Sequence, residues 1–155
     1  MSKRINQEVD ASFTLNHYVN LRSRVINLTG SVDSKAFRRL DMALTELERI
    51  SSDPIIIRIF SEGGNAEDAL ALLGRINDSA CPITTEGYGQ VSSAAAVLLA
   101  AGDHRRISKY CFMMYHEDSL KLEGRISNMR SELKEAIRAE HIYNLAMEEH
   151  TKMAA

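Results

Sequence analysis

The sequence has little net charge, no long apolar run and few cysteines, and each shortage excludes a class of protein. Over 155 residues, 19 Lys and Arg face 21 Asp and Glu, and the formal net charge is −2. Basic residues form no cluster larger than a pair, such as Arg105-Arg106, which argues against nucleic-acid and acidic-membrane partners. No segment approaches the roughly 18 apolar residues of a membrane span, and the polar N-terminus lacks a signal-peptide core. We therefore expect a cytoplasmic protein with neither a membrane nor a nucleic-acid partner.

The two cysteines, Cys81 and Cys111, have no C-x-x-C spacing and lie beside apolar residues. This favours reduced, buried thiols over a disulfide framework or a zinc site. The histidines other than His116 show no metal-ligand spacing; they are His17, His104, His141 and His150. We expect no metal and no cofactor.

Short apolar runs alternate with helical periodicity along most of the chain. Strands are predicted at residues 24–28, 55–60, 83–85, 106–107 and 112–115, and helices at residues 34–50, 66–76, 93–101 and about 125–150. The nearly continuous apolar run at residues 55–60 is typical of a strand covered on both faces. The alternation predicts an α/β fold with a mainly parallel sheet over residues 21–155, preceded by a loosely ordered arm at residues 1–20.

The predicted final helix is longer than a small sheet needs for cover. One apolar stripe runs along it at helical spacing, formed by Ile126, Met129, Leu133 and Ile137 and extended by Ile142, Leu145 and Ala146. We expect this projecting helix to pack against another subunit.

Three features follow the ends of predicted strands, where the active groups of an open α/β sheet collect. Gly63-Gly64 follows the second strand, Ser92-Ser93 precedes the small-residue helix, and His116 follows the last strand. Alone, the glycines fit a plain turn, a serine fits a helix N-cap, and the histidine fits an ordinary surface or core residue. Their order along one sheet edge is also that of an acyl-transfer site, with helix-start amides stabilising an oxyanion, although the G-x-S-x-G motif is absent.

At these residues the chain resembles the proteolytic subunits of the Clp protease (the ClpP family), within the ClpP/crotonase superfamily. The matching segments cover residues 24–30, 59–64, 89–93, 98–102 and 113–116. The resemblance implies repeated β-β-α units with a mainly parallel sheet and a long projecting handle helix.

The resemblance also implies roles for individual residues. Ser93, rather than Ser92, corresponds to the nucleophile and His116 to the general base, while the amides of Gly64 and Ala94 correspond to the oxyanion hole. The family is an ATP-dependent serine endopeptidase that cleaves unfolded polypeptides inside a chamber of homo-oligomeric rings, joined through the handle helix and supplied by an AAA+ unfoldase. We expect the same substrate and partners here.

Several positions depart from the family pattern. Glu62 replaces a proline, Ala94-Ala95 replaces Met-Gly, and Glu117-Asp118 replaces Gln-Pro. In this the chain resembles divergent members, including phage-encoded ones. The triad aspartate of the family follows the handle, in a segment expected beyond Ala155, so the third catalytic group is unassigned; Asp118 is a conceivable but poorly placed substitute.

Two alternatives to the peptidase stay open on the sequence. The first is a catalytically inactive ClpP-like subunit that helps to build or regulate a ring, as a missing aspartate would allow. The second is a crotonase-type acyl-CoA enzyme, which shares the oxyanion turn but not the pairing of Ser93 with His116.

Overall fold

The computed structural model describes residues 16, 18–116 and 123–151. Its strands are β1 (Val19–Asn20), β2 (Val25–Thr29), β3 (Ile55–Ser61), β4 (Ile83–Ser92), β5 (His104–Ile107) and β6 (Phe112–Met114). Its helices are α1 (Ser34–Ile50), α2 (Ala66–Asn77), α3 (Ala94–Ala100) and α4 (Ile126–His150).

The strands form one sheet in the order β1-β2-β3-β4-β5, with β6 paired to the far end of β4. All pairs are parallel except β1 with β2. The predicted α/β class with a mainly parallel sheet is thus confirmed. Of the segment predicted as an arm, residues 19–20 join the sheet as β1, and residues 1–15 and 17 lie outside the described part of the chain.

Strand β4 corrects one prediction, because it does not stop at residue 85 but continues through the glycines to Ser92. Gly87 packs tightly there, since an added Cβ would lie 3.2 Å from the Leu99 side chain. Gly89 has a φ of +60°, and the pairing with β3 shifts register at the same level, between Ile59 and Ser61. The glycines therefore mark an irregularity within one long strand rather than its end.

Helix α1 is held at both ends by side chains. At its start, Asp33 Oδ1 accepts hydrogen bonds from the amides of Lys35 and Ala36, which makes Asp33 the N-cap of the helix. The bond from Ala36 is the main cause that holds the pKa of Asp33 below its ordinary value.

At the other end of α1, the Arg24 guanidinium donates hydrogen bonds to backbone carbonyls of the last turn and the following loop. It donates to Leu47 O at 3.0 Å, Ser51 O at 3.1 Å, Asp53 O at 2.8 Å and Pro54 O at 3.3 Å. Leu47 O also accepts from the Ser51 amide, so the guanidinium adds a second donor at the helix end and supplies one to the loop carbonyls. Arg24 thus joins the start of β2 to the turn that leads into β3.

The second half of α4 packs on the rest of the fold, and the first half projects. The side chains buried on α4 are Ala139, Tyr143, Ala146 and Met147. Ile126 is 67% exposed and Ile137 is 56% exposed, so much of the first half of the predicted stripe is not covered by the described part of its own chain. In the predicted extension of the stripe Ala146 is buried and Leu145 is 43% exposed, because the helix presents Tyr143, Ala146 and Met147 to the rest of the fold.

Both cysteines are free thiols. Cys81 is buried, as predicted. Cys111 is only half-buried, which corrects the prediction for that residue, because it precedes the short strand β6 at the border of the sheet. Burial still raises the pKa of the Cys111 thiol.

Candidate active site

The three predicted groups follow strands that meet at one edge of the sheet. Gly63-Gly64 follows β3, Ser93 follows β4 and His116 lies two residues beyond β6. Strands β4 and β6 are parallel with Ser92 opposite Met114, and the Ser93 amide donates to Met114 O at 2.7 Å. The sheet register thus brings the chain segments that carry Ser93 and His116 side by side.

Ser93 occupies a backbone conformation that is rare for a residue with a side chain. Its φ is 55° and its ψ is −129°, at a sharp turn between β4 and α3. Ser93 stands at the cap position of α3 but makes no side-chain cap hydrogen bond, so the N-cap interpretation does not account for this serine. A strained strand-to-helix turn whose hydroxyl has no hydrogen bond to the described residues is the local geometry of a nucleophile elbow.

Ser92 differs from Ser93 in every one of these respects. It is the last residue of β4, only 1% exposed, and its Oγ accepts a hydrogen bond from Gln90 Nε2 at 3.1 Å. Ser93 is half-buried at the turn. The geometry therefore favours Ser93 over Ser92 as a nucleophile.

Gly63 and Gly64 pack too closely on neighbouring backbone to carry side chains. Gly63 has a φ of +98°, and an added Cβ would lie 2.7 Å from Ser92 O and 2.8 Å from Ser93 Cβ. An added Cβ on Gly64 would lie 2.2 Å from Val32 O. The glycine pair thus lets the turn after β3 lie directly against Ser93.

Some amides on this turn donate hydrogen bonds within the fold, and others do not. Val32 N–H donates to Gly63 O and Asn65 N–H donates to Val32 O, both at 2.8 Å, and this bridge leaves the Gly64 amide unused. Ala94 is the first residue of α3, where an amide has no acceptor within its helix. Within the described ranges neither the Gly64 nor the Ala94 amide donates a hydrogen bond, so both are available to an oxyanion near Ser93.

His116 is exposed and is the last described residue before the gap at residues 117–122. The preceding residue, Tyr115, donates a hydrogen bond from its Oη to Asn144 Oδ1 on α4 at 2.8 Å. Asp118, the conceivable third group, lies outside the described residues.

The residues of α4 that touch the site region were not predicted as site residues. The Tyr143 side chain, 4% exposed, donates from its Oη to Ala66 O at 2.6 Å, at the start of the helix that follows Gly64. Asn144 is the next residue and accepts from Tyr115. No local pattern marks these contacts, since Tyr143 and Ala66 are 77 positions apart.

A groove of about 600 Å³ opens beside the same turn, between the start of α2 and the first half of α4. Its floor is largely apolar and includes Ala66, Leu70, Ala136 and Ile142, and Asn65 lies at the end nearest the glycine pair. The groove is large enough for several residues of an extended peptide or for a small ligand.

Neither a metal centre nor a membrane segment is found in the described part of the chain. No three His, Cys, Asp or Glu side chains there converge as a ligand set would. No described helix is long and apolar enough to cross a membrane.

The chain belongs to the Clp protease family, whose sequence model, described as Clp protease, matches residues 10–155. An ATP-dependent Clp protease proteolytic subunit of Carsonella ruddii is 30% identical over 135 residues, covering 84% of this chain and 69% of the relative. Proteolytic subunit 4 of Rhodococcus jostii is 31% identical over 134 residues, with the same two coverages of 84% and 69%.

A solved structure supports the same assignment. A point mutant of ClpP1 from Listeria monocytogenes superposes with a TM-score of 0.78 at 25% sequence identity, covering 86% of this chain and 75% of that one. The family resemblance and the predicted ClpP-like fold with its long final helix are therefore confirmed.

Proposed function

We propose that the chain is a serine-type endopeptidase subunit that hydrolyses peptide bonds of unfolded polypeptides through an acyl-enzyme. The observation that carries the proposal is the turn at Ser93: its φ is 55° and its hydroxyl caps no helix. Gly63, the neighbour of Gly64, packs against Ser93 and Ala94, and the Gly64 and Ala94 amides donate no hydrogen bond within the described residues.

In the proposed mechanism Ser93 Oγ attacks the substrate carbonyl carbon while His116 accepts the hydroxyl proton. The carbonyl oxygen becomes an oxyanion, which accepts hydrogen bonds from the Gly64 and Ala94 amides; each such donor contributes about 3 kcal/mol to transition-state stabilisation. His116 then gives its proton to the leaving amine, and water, activated by the same imidazole, hydrolyses the acyl-enzyme.

The mechanism needs a third group to fix the tautomer of His116. Loss of that group costs about 10⁴-fold in well-studied triads. By family resemblance we assign this role to an aspartate that follows the handle helix in the chain, whereas Asp118 lies outside the described residues.

The exposed first half of α4 supports a homo-oligomer. Ile126, Leu133 and Ile137 leave an apolar stripe uncovered by the described part of the chain, and a second copy of the same helix is the partner that the family's joined rings imply. The names of the relatives include "ATP-dependent", in accord with an AAA+ unfoldase that supplies cytoplasmic substrates. The groove beside Asn65 would then hold the polypeptide.

The alternative is a catalytically inactive ClpP-like subunit. The exposed position of His116 is the observation that favours this second function. The two functions differ in whether Ser93 is a reactive nucleophile.

Fluorophosphonate labelling of the full-length protein tests this difference. We expect the wild type to be labelled, the label to map to the peptide that contains Ser93, and Ser93→Ala to abolish it. Ser92→Ala is the matched control and should keep the label, because its hydroxyl only accepts from Gln90. If wild type and Ser93→Ala react equally little, while light scattering shows assembled rings, the subunit is structural and the peptidase proposal fails.

A further inference from the structure

We propose that Tyr143 and Asn144 of α4 are positioning residues that hold the two halves of the active site in register. The inference rests on the proposed function, since it assigns roles to Gly64 and His116. It adds a pair of neighbouring residues on one helix, which together fix the turn that carries Gly64 and the segment that carries His116.

The first contact acts on the oxyanion side. Tyr143 Oη donates to Ala66 O at 2.6 Å, and Ala66 lies only two residues after Gly64. As the first residue of α2, Ala66 can also use its carbonyl in the helix, because a carbonyl oxygen has two lone pairs. The phenol therefore adds an anchor for the turn without replacing a helical hydrogen bond.

The turn needs such an anchor on this side. Its other contacts come from the segment after β2 and from the end of β4: Val32 bonds to the turn on one side, and Ser92-Ser93 packs against Gly63 on the other. Among the described residues, Tyr143 alone ties the start of α2 to α4 by a hydrogen bond, and its ring is almost completely buried. A displacement of about 1 Å at a reacting group can cost on the order of 100-fold in rate, so this single bond is well placed to affect the Gly64 amide.

The second contact acts on the side of the base. Tyr115 Oη donates to Asn144 Oδ1 at 2.8 Å, and Tyr115 is bonded directly to His116. The bond lies where β6 has ended, so strand pairing no longer holds this segment. Asn144 thus fixes the backbone from which the imidazole projects.

Because Tyr143 and Asn144 are consecutive in one helix, a rigid element sets the distance between their two partners. Any shift of α4 would move the start of α2 and the segment before His116 together. The proposal therefore makes the packed half of α4 part of the active-site framework rather than cover for the sheet.

Tyr143→Phe tests the oxyanion side, since it removes only the hydroxyl and keeps the buried ring. We expect peptide-hydrolysis kcat and the rate of fluorophosphonate labelling to fall about tenfold, with KM within about twofold, because a lost positioning contact is expressed in the transition state rather than in binding. The melting temperature should change by only a few degrees. Tyr110→Phe, the same change at an exposed tyrosine, should alter none of these quantities.

Variants of Asn144 test the base side by rescue. Asn144→Leu and Tyr115→Phe should each lower kcat and the labelling rate several-fold, whereas Asn144→Asp keeps an acceptor oxygen for Tyr115 and should retain activity near that of the wild type.

The outcomes separate this inference from the proposed function. If Ser93→Ala abolishes labelling but Tyr143→Phe and Asn144→Leu label at the wild-type rate, the peptidase stands and the positioning role is overturned. The role is also overturned if activity falls only in proportion to the fraction unfolded, or if Asn144→Asp is as impaired as Asn144→Leu. Equal labelling of wild type and Ser93→Ala overturns the peptidase itself.

Discussion

Replacing Ser93 with glycine should stabilise the protein relative to replacement with alanine. Ser93 has a φ of 55° and a ψ of −129°, a region where a residue with a Cβ is strained by about 1–3 kcal/mol. Ala keeps the Cβ and the strain, whereas Gly adopts such angles freely. The greater flexibility of unfolded glycine offsets about 0.5–1 kcal/mol of the gain.

The net expectation is that Ser93→Gly is more stable than Ser93→Ala by about 1 kcal/mol, or about 2–4 °C in melting temperature for a domain of this size. No cap bond complicates the comparison, because the Ser93 hydroxyl caps nothing in α3. Both variants lack the hydroxyl and should not react with fluorophosphonate. The difference in stability between them therefore reports the backbone strain at this position.

The assay is thermal and urea unfolding of both variants at one protein concentration, since assembly also stabilises a fold. The same pair of substitutions at Ser92, within the ordinary backbone of β4, is the control. There the order should reverse, with Gly less stable than Ala by about 0.5–1 kcal/mol. If Ser93→Ala equals or exceeds Ser93→Gly in stability, the turn is unstrained and the reasoning from its geometry is refuted.

Three further predictions follow from contacts away from the nucleophile. Gly64→Ala should abolish hydrolysis and lower the melting temperature, because its Cβ would lie 2.2 Å from a backbone oxygen; normal activity would show that the turn is displaced from its described position. Arg24→Met should lower the free energy of unfolding by about 2–3 kcal/mol, because it leaves several carbonyls without their charged donor. Urea unfolding measures the loss, with Arg22→Met, at an exposed arginine, as a control that should be neutral. Equal losses in the two variants would contradict the prediction. Hydrogen bonds from Arg75 hold the pKa of Glu48 below its ordinary value. This glutamate therefore contributes stability that is present above about pH 4.3, the ordinary glutamate pKa, and is lost as pH falls further. Glu48→Gln should flatten the acid limb of a curve of stability against pH, and an unchanged slope would show that the ion pair contributes nothing.

Much of the architecture and the place of the site can be predicted from local patterns. Hydrophobic periodicity and the residues that end a strand or helix are local features of the sequence. The apolar run at residues 55–60 and the helical spacing after Asp33 therefore predict β3 and α1 closely. Parallel strands present their carboxyl ends at one edge, and this rule brings Gly64, Ser93 and His116 together before any contact is known.

The glycines of β4 show where local patterns fail. Gly87 and Gly89 predict a strand end, yet β4 continues to Ser92 because β3 on one side and β5 and β6 on the other supply partners up to Gly87 and again after Gly89. Tertiary pairing overrides the local signal, as it does elsewhere when a strand is central.

What the sequence by itself determined is the family, the order of the elements and the residues that could do the chemistry. Only the tertiary structure decided which hydroxyl is uncommitted, since Ser92 and Ser93 differ by backbone angle and hydrogen bonding rather than by residue type. It also decided that α4 buries Tyr143 and leaves Ile137 exposed, because which face of an apolar helix is covered depends on where the sheet, α2 and α3 lie. The physical reason is the same in each case: periodicity is a property of neighbours in the chain, whereas the bond from Tyr143 to Ala66 joins residues 77 positions apart and exists only once the fold has formed.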